Sequence, residues 1–411
     1  MTEKPDWTGR RLEVEIGPVA HGGHCVARYE GRVVFVRHAL PGEVVVVEVT
    51  EDGGGGFCRA DAVEVRTPAP GRVTPPCPLA DMARGKDRCG GCDWQHADPA
   101  TQRELKAAVV AEQLQRIAGI ERSVEVEELP GGPLRWRTRA RLAVDRRGRP
   151  GFRAHRSHRV IPAEDCPITV ADAVPEVTGR NWRPGAELAL AADAEGELHV
   201  TAIDHKPQRR RGRPVARQVR GGGVAREAAA GRPFEVSGQG FWQVHVRAPE
   251  TFTEVVSAMA AVPRGAVAWD LYGGVGLFTA PLAEQAGPAG SVLLVESSQR
   301  AVEDAVGNLR DLPQVSFRAG SVEEVLDDGS LDDPDVVVLD PPRKGAGRRV
   351  VAGITERRPS RIVHVACDPA ALARDLGLYR EGGYRLAQLR AFDAFPMTHH
   401  VECIALLEPD E

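Results

Sequence analysis

From Gly265 onward, apolar segments alternate with helical ones, and no other feature of this 411-residue chain restricts its fold so tightly. Val267 to Tyr272, Ser291 to Glu296, Val315 to Arg318, Asp335 to Leu339 and Ile362 to Ala366 read as strands, the last of them buried. The first two strands are followed by segments of helical pattern, one reaching about Gln285 and the other Leu309. Strands joined through helices lie parallel to one another, because the helix carries the chain back over the sheet face. A doubly wound α/β sheet is therefore predicted, with ligands at the carboxyl ends of its strands.

Those strand ends carry the residues with chemistry to offer. Asp270-Leu-Tyr-Gly-Gly-Val-Gly276 follows the first strand and opens a helix, and its glycines let the backbone approach a cofactor closely. Glu296 closes the second strand 22 residues after Gly274 (296 − 274), where an acid can hold ribose hydroxyls. Nicotinamide dinucleotides and S-adenosylmethionine both satisfy this pattern. In Asp340-Pro-Pro-Arg343 the proline pair stiffens a loop at a strand end, and Asp340 can accept hydrogen bonds from a cofactor or a base. The lesser alternative is that Asp340 merely caps a turn. Arg361 to Asp375 reads as a strand running into a helix, with Asp368 as N-cap and Pro369 in the first helical position. Cys367 then sits at a helix N-terminus, where the partial positive charge favours a thiolate, although an isolated cysteine at such a joint is also ordinary packing.

A second cysteine pattern lies upstream. Cys77-Pro78 is followed after eleven residues by Cys89-Gly-Gly-Cys92-Asp-Trp-Gln-His96, and Cys166-Pro-Ile168 comes later. Four thiolates, two of them separated by two residues, suit a tetrahedral zinc ion or an iron–sulfur cluster. The N-terminal residues lack the apolar core of a signal peptide, and no apolar run is long enough to span a bilayer, so a cytoplasmic protein with no membrane association is expected. In that reducing setting clustered cysteines are metal ligands or catalytic groups rather than disulfides. Cys25, Cys58 and Cys403 have no partner at ligand spacing and are expected to be buried filler.

Residues 12 to 65 hold short β-rich segments punctuated by Gly and Pro, which suggests a small closed barrel of OB type. Thr67-Pro-Ala-Pro-Gly71 reads as a linker, and Ala100 to Ile117 as an amphipathic helix with Leu105, Val109, Leu114 and Ile117 near one face, docked on a neighbouring domain. Leu134 to Arg159 contains ten arginines against one acid, Asp145, with aromatic and histidine residues interleaved. Guanidinium groups neutralise phosphates and rings stack on bases, so this segment is the predicted RNA surface. The net charge of −5 means that nucleic-acid binding rests on such local basic surface. Lys206 to Arg220 reads as a basic loop.

His21-Gly-Gly23 and the segment from Arg32 through Pro41-Gly42-Glu43 resemble the TRAM module attached to RNA-modifying enzymes. Asp340-Pro-Pro-Arg343, Ala366-Cys367-Asp-Pro-Ala-Ala-Leu-Ala-Arg374 and Phe392-Asp-Ala-Phe-Pro-Met-Thr-His-His-Val-Glu402 together resemble the RNA uridine-5 methyltransferases, above all the 23S ribosomal RNA branch that carries both a TRAM domain and a cluster. The resemblance implies a TRAM-like barrel over residues 1–66, an α+β RNA-binding domain with a four-iron four-sulfur cluster over 67–240, and a Rossmann-like S-adenosylmethionine-dependent methyltransferase domain over 241–411. It assigns Cys367 as nucleophile and Glu402 as the base that removes a proton. Gln243, Tyr272, Glu296 and Asp340 match cofactor-contacting positions, and Cys77, Cys89, Cys92 and Cys166 match cluster ligands, with zinc the alternative. The partner is RNA, either 23S ribosomal RNA or transfer RNA, with no obligate protein partner. A non-catalytic iron–sulfur RNA-binding protein is the alternative of another class.

Three departures from the family pattern stand out. The eleven residues between Cys77 and Cys89 are more than the usual spacing. Asp368 stands where asparagine is usual, and a carboxylate beside Cys367 opposes thiolate formation unless it is neutralised or turned away. Leu277 and Ser321 replace asparagines found in some relatives.

Overall fold

The computed structural model describes residues 6–204, 215–329 and 331–410. Its largest sheet has eight strands in the order Val315–Ala319, Ser291–Glu296, Val267–Leu271, Val336–Leu339, Arg361–Ala366, Glu402–Pro409, Tyr384–Asp393 and Val126–Glu128. The first five are parallel, as the alternating pattern predicts. Glu402–Pro409 runs antiparallel to both of its neighbours, so the sheet is mixed at this edge. The cause is local: the residues 394–401 joining Tyr384–Asp393 to Glu402–Pro409 are too few for a crossover helix and can only close a hairpin.

All four residues of Val336–Leu339 are fully buried, as a central strand covered on both faces requires. Val336 and Val338 face a core with Phe252 and Leu282, whereas Val337 and Leu339 face one with Ile354 and Leu372. The chain leaves Val267–Leu271 for the strands on one side and later crosses back to Val336–Leu339 on the other. Asp270, Gly274 and Asp340 thus flank the point where strand order reverses, the usual place for a ligand crevice.

Residues 11–67 form a closed barrel. One bent strand does the closing: its first half, Arg11–Glu15, pairs with Val44–Asp52, and its second, Val19–Ala20, with His24–Tyr29. Arg32–Arg37 and Phe57–Thr67 pair in parallel, which completes the OB arrangement. His24–Tyr29 is a strand that the Gly and Pro punctuation did not reveal.

The helix Pro99–Gln113 joins this barrel to the large sheet. Leu105 and Val109 enter the barrel's core, while Val110 and Leu114 enter the core of the sheet. It therefore docks on two partners rather than one, and Ile117, expected on the buried face, is exposed. The position on that face is taken instead by Lys106, which is completely buried, bonds Asp393 at 2.5 Å and donates to the Phe395 carbonyl at 3.1 Å. Removing one member of a buried ion pair strands the other, so Lys106→Ala is expected to destabilise the protein by about 3–5 kcal/mol, read as a shift of the urea midpoint at constant slope.

The segment 67–240 does not pack as one unit. Val126–Glu128 extends the large sheet, and the hairpin Val224–Ala229 with Arg232–Ser237 sets Ala229, Phe234 and Val236 into the core that holds Phe252. What stays separate is an antiparallel sheet of six strands, from Arg139–Val144 to Val215–Arg220, with its own core around Leu188 and Val200. Apolar side chains of short strands pack on whichever face is nearest in space, and nothing local in their sequence records which domain supplies that face. Among the described residues no helix is long and apolar enough to cross a membrane.

Candidate active site

At the carboxyl ends of the large sheet's strands lies a cleft of about 1490 Å³, lined by Gln243, Tyr272, Glu296, Asp340, Cys367 and Glu402 among others. Every residue singled out from the sequence for catalysis or cofactor contact thus reaches one cavity. Glu296 accepts from the Gly274 N–H at 3.2 Å and from the Ser298 N–H at 2.7 Å, which fixes the acid against the glycine turn. Tyr272 has φ of +63°, a left-handed conformation that costs a non-glycine residue on the order of 1 kcal/mol and turns the chain at the strand end. Gln243 Nε2 donates to Asp340 Oδ2 at 3.5 Å. Near Asp340 lies Asp270, whose Oδ2 accepts from Thr279 Oγ1 at 2.5 Å while Oδ1 has no hydrogen-bond partner among the described residues. Burial pushes the Asp270 carboxyl up to about 7, and burial followed by the nearness of Asp270 raises Asp340 as well.

Cys367 ends Arg361–Ala366, and Asp368 Oδ1 accepts from the Ala371 N–H at 2.8 Å to cap the helix Pro369–Glu381. The predicted joint is present, but its electrostatics run against the expected thiolate. Burial, then Glu402 and Asp340, push the Cys367 thiol up to about 12, with Arg343 and the residue's own backbone N–H opposing them. A helix end contributes about 0.3–1 kcal/mol and is outweighed here by desolvation and two carboxyl groups. Glu402 is buried, and its carboxyl is held well above the ordinary range by burial and then by Asp340. Because the thiol is protonated across neutral pH, alkylation of Cys367 by iodoacetamide is expected to accelerate about tenfold per pH unit from pH 7 to 9, without a plateau. Peptide mapping of the alkylated site checks this, and a plateau below pH 9 would mean that the thiol is already activated in the free protein.

The extra carboxylate at Asp368 is dealt with by the barrel. His21 Nε2 lies 3.1 Å from Asp368 Oδ2, so both carboxylate oxygens have partners. Burial works to raise Asp368, yet the bonds from His21 and the Ala371 N–H prevail and hold it below the usual carboxylate range.

Residues 7–63 match the TRAM domain family, and residues 261–410 match the tRNA (Uracil-5-)-methyltransferase family. An uncharacterized RNA methyltransferase of Streptomyces coelicolor is 46% identical over 440 residues, covering 100% of this chain and 95% of the relative. Another from Corynebacterium efficiens is 39% identical over 419 residues, covering 98% of this chain and 96% of its own. The chain belongs to the RNA uracil-5 methyltransferase family. A Pyrococcus abyssi tRNA (uracil-54, C5)-methyltransferase, solved in complex with S-adenosyl-L-homocysteine, is 22% identical and superposes with a TM-score of 0.72, covering 96% of this chain and 100% of that one. At that identity the likeness is one of fold.

This uracil-5 methyltransferase also holds a second cavity, of about 530 Å³, lined by Cys77, Cys89, Cys92 and Cys166 with Arg137 and Phe152. Cys77, spaced unusually far from Cys89, joins the other three all the same, and all four are free thiols. Gly90 permits the approach: a Cβ there would lie 2.4 Å from the His155 nitrogen. Burial pushes Cys89 up to about 11 and raises Cys77 and Cys92 too, so these thiols carry little charge of their own without a cation among them. Cys25, Cys58 and Cys403 are buried in the cores.

Sequence reasoning passed over three residues that line the methyltransferase cleft: Arg343, His400 and Ser321. Arg343 was visible as the basic end of Asp340-Pro-Pro-Arg343 and His400 lay within the Phe392 to Glu402 motif, whereas Ser321 stood out only as a departure from the family pattern. Leu277 is buried in the core. The arginine-rich segment differs from a bare basic face. Arg135, Arg139, Arg149, Arg153, Arg156 and Arg159 each pair with a carboxylate, which leaves Arg137, Arg141, Arg146 and Arg147 without an ion pair among the described residues. Apart from Asp145, which lies within the segment, those acids come from distant segments, beyond the reach of a local charge count. Arg209-Arg210-Arg211 lie outside the described residues. Asp193, Glu197 and His199 bring ligand atoms together, but the Asp193 oxygens already accept from the N–H groups of Glu195, Glu197 and Arg226, so the group caps a hairpin.

Proposed function

We propose that the protein transfers a methyl group from S-adenosylmethionine to carbon 5 of a specific uridine in structured RNA, with 23S ribosomal RNA the first candidate, through a covalent bond between Cys367 and the base. The convergence of Cys367, Glu402 and Asp340 in one strand-end cleft carries this reading.

Carbon 5 of uracil is too weak a nucleophile to take a methyl group unaided. The Cys367 sulfur adds to carbon 6 once its proton has left, and the ring becomes an enolate with electron density on carbon 5. Carbon 5 takes the methyl group, Glu402 removes the carbon 5 proton, and the returning electron pair expels the sulfur from carbon 6. Base removal by Glu402 fits its raised proton affinity. Bound S-adenosylmethionine supplies the electrophilic methyl and a positive sulfonium. Gln243, Tyr272, Glu296 and Asp340 would hold it, and the cleft suits it: Asp270, Asp340 and Glu402 are buried acids whose mutual repulsion a cation relieves. The uridine must leave its stack to reach Cys367.

Cys77, Cys89, Cys92 and Cys166 would hold a four-iron four-sulfur cluster. No three of these sulfurs lie within 4.8 Å of one another. A tetrahedral zinc ion with bonds near 2.3 Å draws its sulfurs to about 3.8 Å apart, so the cage is better matched to a larger group. Protein purified without oxygen is expected to carry about four irons per chain, and Cys89→Ser to lower stability and RNA affinity while S-adenosylmethionine binding persists. Stoichiometric zinc by elemental analysis, or lost cofactor binding in a folded variant, contradicts this.

A transfer-RNA substrate is the second reading, supported by the printed description of the matched family and by that of the Pyrococcus abyssi enzyme. Mapping 5-methyluridine in ribosomal and transfer RNA from cells lacking the gene decides between them. Loss at one ribosomal position supports the first, loss in transfer RNA the second, and no loss in either refutes both.

A further inference from the structure

The loop 394–401 delivers Glu402 to the cleft, and it is held from outside the large sheet. Met397 has φ of +69°, a conformation that a side chain of its size adopts only under restraint. The restraint comes from upstream: the Met397 N–H donates to Gln102 Oε1 at 2.7 Å, and its carbonyl accepts from the N–H groups of Asp93 and Trp94 at 3.1 and 3.0 Å. Asp93 and Trp94 directly follow Cys92. Asp93 grips the loop a second time, since its Oδ2 lies 2.6 Å from His399 Nδ1, and Arg37 of the barrel stands 3.6 Å from its other oxygen. The His399 ring is 4.1 Å from that of His400, whose Nε2 is 3.4 Å from Arg343, the cation facing Cys367 and Glu402. Beneath the loop, Met397 packs with Cys92 and Cys166 against buried Trp136.

We propose that Asp93 is a positioning residue for Glu402. Through His399 and the Met397 carbonyl it fixes the strained loop, and so joins the cysteine-bearing segment to the step that removes the carbon 5 proton. This rests on the assignment of Cys367 as nucleophile and Glu402 as base. Asp93 touches no reacting atom, so its loss should leave sulfur addition and methyl transfer standing and slow only what Glu402 does.

The test uses the full chain purified without oxygen, comparing Asp93→Ala, Asp93→Asn and His399→Ala with Glu402→Gln on whichever of ribosomal or transfer RNA the wild-type protein methylates. A displacement of the base by about 1 Å is expected to lower kcat of Asp93→Ala by about 10- to 100-fold with little change in KM. Methylated RNA bound to Cys367 should accumulate on a denaturing gel, as in Glu402→Gln, while iron content stays at the wild-type level. Asp93→Asn keeps an acceptor for His399 and should recover most of the rate. His399→Ala, altered at a partly exposed side chain, should reproduce the adduct even if Asp93→Ala fails to fold. Wild-type kcat in both alanine variants overturns the proposal, and so does lost turnover without adduct in a folded variant. If Glu402→Gln itself traps nothing, the underlying mechanism is overturned and the proposal falls with it.

Discussion

Cys367→Ala is expected to abolish methylation, lowering turnover by at least about 10⁴-fold, while RNA and S-adenosylmethionine still bind. The size of the effect follows from what the thiol does. Without sulfur on carbon 6 there is no enolate, and no other group in the cleft can supply one: Glu402 and Asp340 are carboxyl groups, much weaker nucleophiles than a thiolate, and Arg343 is a cation. Binding should survive because Cys367 is partly exposed at the cleft wall and the alanine leaves the Asp368 cap intact. Calorimetric titration with S-adenosylmethionine and a filter assay with labelled methyl groups separate the two properties. Residual turnover within tenfold of wild type would remove Cys367 from the mechanism.

Glu402→Gln should fail differently. The amide cannot take the carbon 5 proton, so turnover should fall by about 10²–10⁴-fold, the usual contribution of a positioned general base. Sulfur addition and methyl transfer precede the step that needs Glu402, so a single round should still occur. A rapid burst of about one methyl group per enzyme followed by near-zero turnover is the expected time course. A glutamine at this fully buried site also removes the repulsion that Glu402 exerts on the Cys367 thiol, so the variant's alkylation profile should shift to lower pH.

Much of this architecture was legible because it depends on short-range patterns. Four of the five parallel strands are largely apolar runs, the edge strand Val315–Ala319 being the exception, helices lie between them, and Asp368-Pro369 marks a helix start that the structure reproduces. Five of the six cleft residues lie at strand ends, where topology alone gathers them, and Gln243 comes from the loop before the helix Ala248–Ala260. What stayed hidden depends on long-range partners. Nothing around Lys106 announces a buried cation, because Asp393 lies 287 positions away. The arginines of residues 135–159 looked like an open basic face until acids such as Asp87, Asp165 and Glu227 arrived from other segments. The Cys367 electrostatics were misjudged for the same reason, since the helix terminus is local whereas Asp340 and Glu402 reach the thiol only in the folded chain.

The central claim is that a methylated uridine is covalently held by Cys367 until Glu402 releases it. A denaturing gel of Glu402→Gln incubated with target RNA and methyl-labelled S-adenosylmethionine tests this most directly. A slow-migrating band should appear that carries the label and disappears when Cys367 is also replaced by alanine. If Glu402→Gln turns over normally, or if any band persists without Cys367 or without the methyl label, the mechanism is wrong.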